Sequence, residues 1–146
     1  MRRSMRIALV LVAVAATALP AWSALLSKSF QFKPGVTLEL GVPAERGLRL
    51  DSVFFKMPAP NGRKFLKFGG QPSVEVTVSN GGGAAQKVGI AIAMFDRTGR
   101  LVGVASGGSK LVAIKPNRRS VYSLDFADVN DLLERAASFQ ISVEAR

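Results

Sequence analysis

The chain contains no histidine and no cysteine. That removes the commonest metal ligand, the commonest general base and every thiol at once, so zinc and copper centres and Ser-His or Cys-His catalysis lack their parts. A Ser-Lys nucleophile is the remaining route, and Ser27-Lys28 and Ser109-Lys110 are the adjacent pairs. Neighbouring residues of a strand point to opposite faces, so both pairs read as solvated residues. Carboxylates gather at Asp125, Asp128, Asp131 and Glu134. A calcium loop needs ligands at alternating positions around a central glycine, which a spacing of three does not supply. Helix capping by Asp128, with Asp131 favouring the helix dipole, accounts for the cluster instead. Gly81-Gly82-Gly83 lacks the Gly-Lys-Ser/Thr of a phosphate loop, and Gly107-Gly108-Ser109-Lys110 lacks the upstream glycine and the following hydroxyl. Both read as places where strands reverse or bulge. No cofactor, no metal and no enzymatic activity are expected.

The basic residues offer a different chemistry. Arg63, Lys64 and Lys67 interleave with Phe65, Leu66 and Phe68, while Lys110, Lys115, Arg118 and Arg119 surround Pro116. If the fold brings these groups together, Arg63, Lys64, Phe65, Lys67, Phe68, Lys115, Arg118 and Arg119 form one positive binding surface with an aromatic anchor. Such a surface suits an acidic envelope protein, anionic lipid headgroups or an anionic envelope polymer. If not, they are the charges that protect a solvated strand edge. A sequence pI near 10.9 also suits nucleic acid, but none of the usual nucleic-acid modules reads from this chain, and its N-terminus directs it elsewhere.

That N-terminus is built as an export signal. Arg2, Arg3 and Arg6 precede an apolar run from Ile7 to Leu19, then Pro20 and Ala21-Trp22-Ser23 before Ala24. The layout matches a secretory signal peptide cleaved between Ser23 and Ala24. The run of 13 residues is short of the roughly 20 needed to span a bilayer. A retained anchor stays open as the second reading, because Ala21 to Leu26 extend the apolar stretch past the proline. Ser4-Met5-Arg6 does not continue Arg2-Arg3 as a twin-arginine signal would. A periplasmic or secreted protein is therefore expected, and nucleic acid is set aside as a physiological partner. Of 20 basic and 10 acidic side chains, removing Arg2, Arg3 and Arg6 leaves 17 against 10, formally +7. Residues 24–35 read as a linker and 36–146 as one domain, held by packing without disulfides.

Within that domain, period-two alternation dominates. Val74, Val76 and Val78 alternate with polar residues, as do Val88, Ile90, Ile92 and Met94 with smaller ones, which is how a strand with one buried face is written. The same grammar covers Val36 to Leu40, Leu48 to Phe55, Leu101 to Ala105, Tyr122 to Phe126 and Phe139 to Val143, which makes about seven strands. Asn80 to Gly83, Asp96 to Gly99, Pro116-Asn117 and Pro58 to Gly62 supply the turns. One short helix is expected from Asp128 through Ala136, before the last strand. These elements predict an all-β antiparallel sandwich.

The stretch from Val74 to Phe126 resembles the FxLYD-type and related immunoglobulin-like domains of exported bacterial proteins. The matching residues are Val74 to Gly81, then Met94-Phe95-Asp96-Arg97-Thr98-Gly99, then Lys115-Pro116-Asn117 before Val121 to Phe126. They cover about a third of the chain. Phe95 stands where the family usually has Tyr, and Asn117 where glycine commonly follows the proline. The resemblance implies an immunoglobulin-like fold in an extracytoplasmic setting and brings no catalytic residues with it. The chain is thus expected to be a non-catalytic interaction or structural module that docks a protein through an edge strand or the basic-aromatic surface. The alternative is an envelope-associated binder of anionic lipid or polymer.

Overall fold

The computed structural model describes residues 26–57, 71–126 and 130–146. The segment read as an export signal and the stretch Pro58 to Gly62 expected to turn lie outside the described residues, as do Arg63, Lys64, Phe65, Lys67, Phe68 and Asp128. Eight strands follow in order: β1 (Leu26–Gln31), β2 (Thr37–Pro43), β3 (Leu48–Lys56), β4 (Ser73–Asn80), β5 (Val88–Asp96), β6 (Leu101–Gly108), β7 (Arg118–Asp125) and β8 (Ala136–Ala145). They form two antiparallel four-stranded sheets, one ordered β1-β8-β5-β6 and the other β2-β3-β4-β7.

The expected alternation places the core. Val74, Val76 and Val78 of β4 face inward from one sheet, and Val88, Ile90, Ile92 and Met94 of β5 face inward from the other, all buried. Phe55 of β3 meets Phe139 of β8 edge to face at 4.9 Å, joining the layers through the centre. Where the simple period fails, a bulge has intervened. Asp51 is an extra residue between the pairs Leu50–Val78 and Ser52–Thr77, so the inward set changes phase from Leu48 and Leu50 to Val53 and Phe55. Val102 does the same in β6, leaving Leu101 and Val104 outward, each 58% exposed.

Three expectations are corrected. There are eight strands where about seven were read, because Leu26–Gln31, in the stretch taken for a linker, pairs along β8 from Leu26–Val143 to Gln31–Ser138. Phe30 lies stacked on Phe139 at 5.4 Å, which ties this strand to the core. Val36 is not inward but 53% exposed, in the connection just before β2. The helix before the last strand is a single turn, α1 (Asn130–Leu133). Leu133 is buried, and by Ala136 the chain is already paired with Asp96 of β5, so ladder hydrogen bonds replace the helical ones.

Candidate binding surface

The residues named from the sequence divide between what is described and what is not. Lys115, Arg118 and Arg119 are exposed, and Lys110 stands exposed in the same β6–β7 connection. Whether Arg63 to Phe68 join them lies outside the described residues. The connection is therefore the part of the expected surface whose construction can be followed atom by atom.

Its first support is where β6 ends. Gly108 has φ +137°, and a Cβ there would sit 2.0 Å from the carbonyl oxygen of Val88, so only glycine admits this approach. The chain then turns Ser109 onto β5. The Ser109 amide donates to the Val88 carbonyl at 2.8 Å, and the Ser109 hydroxyl accepts from the Val88 amide at 3.1 Å. The same hydroxyl lies 2.9 Å from the hydroxyl of Tyr122 in β7. One serine thus links three strands across the two sheets.

The second support is Asn80, buried at the end of β4. Its side-chain amide donates to the carbonyls of Ala84 and Ile114, both at 2.8 Å, and its side-chain oxygen accepts from the Gly82 amide at 2.9 Å. Its backbone carbonyl accepts from the Asn117 amide at 2.7 Å. Ile114 is buried and exchanges both backbone hydrogen bonds with Gln86. Pro116-Asn117 then makes the reversal, with Asn117 in the left-handed region at φ 57° and the Arg118 amide donating to the Lys115 carbonyl. Proline followed by a left-handed asparagine is the residue pattern of a type II turn.

Between these supports the loop presents Lys110, Leu111 and Val112. Leu111 is 89% exposed and Val112 is 76% exposed. The connection itself carries only positive charge, for no carboxylate occurs between Asp96 and Asp125, while Glu144 of β8 lines a pocket with Lys110. Among the described residues, Lys110, Lys115, Arg118 and Arg119 make no ion pair, whereas Arg49 and Arg146 at the same end are paired with Asp51 and Glu144. Arg119 shares a shallow depression on the outer face of its sheet with Glu39, Arg49 and Asp51. Arg118 pairs in register with Asn80, directly beside the loop.

Sequence reasoning singled out the cations but missed two things. Asn80 was read as a turn residue, and its role as a buried hub depends on Ile114, far along the chain. Leu111 and Val112 were passed over, although an apolar pair behind Gly-Gly-Ser-Lys was a visible signal. Among the described residues, no group of three or more acidic side chains lies close enough together to hold a metal ion. Comparisons with protein-family models, with curated proteins and with solved structures find no match to this chain.

Proposed function

We propose that the chain is an exported, non-catalytic interaction module of the immunoglobulin-like kind, which docks an acidic partner protein in the envelope through β7 and the cations at its start. Export rests on the N-terminal pattern. The immunoglobulin-like reading is supported by the pairing order. β3-β4-β7 beside β1-β8-β5-β6 parallels the A-B-E and G-F-C-C′ orders of that fold, with β1 standing where the last strand would be.

The observation that carries the docking reading is the edge position of β7. It hydrogen-bonds as a strand to β4 alone, its outward Val121 is 60% exposed, and it opens with the exposed Arg118-Arg119. An extended segment added there would gain backbone hydrogen bonds, while the cations would steer an acidic partner and set its orientation. A second reading, an anionic lipid or polymer as the counterpart, is favoured by the exposure of Leu111 and Val112.

Site-specific photocrosslinking in intact cells tests the leading reading. A photoreactive residue at Val121 is expected to trap one discrete envelope protein, and the adduct should vanish when Arg118→Glu and Arg119→Glu are combined. The same probe at Val36, at the opposite end of the sheets, should trap nothing. Absence of a protein adduct at Val121, or an adduct indifferent to the charge reversals, would overturn this function.

A further inference from the structure

Leu111 and Val112 are the most exposed large apolar side chains among the described residues. A loose loop could turn such residues inward, but this one is fixed on both sides. Ser109 is clamped to Val88 and Tyr122, and Ile114 is buried, bridged to Gln86 and held by Asn80. The short span between these two anchors holds Leu111 and Val112 out in water, which a soluble domain has no reason to build unless something covers them.

The neighbours say what kind of surface that is. Lys110, Lys115 and Arg118 lie on the same connection, which holds no carboxylate from Arg97 to Leu124, and the nearby Glu144 is paired with Arg146. An exposed aliphatic pair with long, exposed cationic side chains on the same connection is complementary to a layer that is anionic at its surface and apolar beneath.

We propose that the β6–β7 connection is a membrane-contact loop, in which Leu111 and Val112 enter the interfacial layer of an anionic bilayer while Lys110, Lys115 and Arg118 meet the lipid headgroups. The proposal rests on the docking reading only in giving these cations an anionic counterpart. Val121, further along β7, remains open to a protein partner when the loop is seated.

The natural absence of cysteine makes the test direct, since Leu111→Cys in the full chain provides one site for an environment-sensitive nitrobenzoxadiazole dye. With vesicles rich in phosphatidylglycerol the emission should shift to the blue and be quenched by lipids bearing nitroxide on the acyl chain. The same dye at Val36→Cys, at the far end, should keep its aqueous spectrum and thus exclude simple tethering by residues 1–25. Adding Lys115→Gln and Arg118→Gln should raise the phosphatidylglycerol needed for half the shift by about tenfold or more, from the roughly one headgroup interaction lost per cation. An aqueous Leu111 signal on vesicle-bound protein would overturn the proposal. So would an equal response to pure phosphatidylcholine, or an equal response to polyglutamate without lipid, which would assign the tip to an acidic protein. Crosslinking at Val121 reads out protein docking alone, so either reading can fail without the other.

Discussion

Asn80 shows how much one buried polar side chain can organise. It is the one buried polar residue of the described core, and its amide is fully used, with two donations to carbonyls of separate connections and one acceptance from Gly82. Truncation would not merely delete three hydrogen bonds. It would leave the half-buried Gly82 amide without this acceptor and strip the buried Ile114 carbonyl of one of its two donors, at a cost of about 1–3 kcal/mol. Asn80→Ala is accordingly expected to lower unfolding stability by that amount in chemical denaturation. Amide exchange should accelerate at Gln86 and Ile114 well before it does in β4 or β5. Protection at those two amides equal to wild type would show that the loop does not depend on this side chain.

At the scale of an element, the β5–β6 hairpin is the clearest case of a turn written in its residues. The Asp96 carboxylate accepts from the Thr98 hydroxyl at 2.7 Å, the Thr98 amide at 2.8 Å and the Arg100 amide at 3.0 Å, and Gly99 takes the left-handed position at φ 79°. The turn residues predict Met94-Phe95 opposite Leu101-Val102; Phe95 does lie opposite Leu101, but Val102 is a bulge and Met94 pairs with Gly103 instead. The Thr98 hydroxyl, followed by the Arg100 amide, holds the Asp96 carboxyl below its ordinary value. A carboxylate whose pKa is depressed by folding contributes stability above its unfolded value and loses that contribution as pH falls through the folded one. Hairpin order should therefore be constant at neutral pH and weaken only in the acid range below about pH 4. NMR titration should give Asp96 a midpoint below that of an unfolded aspartate, and Thr98→Val should raise it. An unchanged midpoint in Thr98→Val would remove the hydroxyl as the main cause.

For the whole molecule, what holds the two sheets together is apolar burial between them, with no disulfide to assist. Ile92 sits mid-strand in β5 and is 2% exposed, paired with Ile141 of β8 and Ala105 of β6. Ile92→Ala should cost about 2–5 kcal/mol through lost transfer energy and the cavity left behind, read as a lower denaturation midpoint with an unchanged slope. A melting temperature equal to wild type would mean that the inward face of β5 had been misjudged.

Much of this fold was legible because its physics is local. Alternation along Val74–Val78 and Val88–Met94 needs only the pleat of a strand and one dry face. The Asp96–Gly99 turn needs only side chains that bond to their own backbone. Bulges at Asp51 and Val102 were hidden, since an extra residue is recognised only by the register of the strand opposite. The cationic residues were visible in type and spacing, but not the frame that holds Leu111 and Val112 outward, because the bonds of Ser109 to Val88 and Tyr122, and of Asn80 to Ile114, form only once the strands are paired.

The chain's own residues therefore determined its strand-rich character, its turns, its inward-facing aliphatics and its lack of histidine and cysteine chemistry. Tertiary structure decided that Leu26–Gln31 is a strand rather than a linker. It also braced the Lys110–Arg119 connection so that Leu111 and Val112 stay exposed. The physical reason is the same in both cases. A strand edge beside β8 and the clamps of Ser109 on Val88 and Asn80 on Ile114 are made of groups from distant segments, and their pairing energy exists only once both sheets have formed.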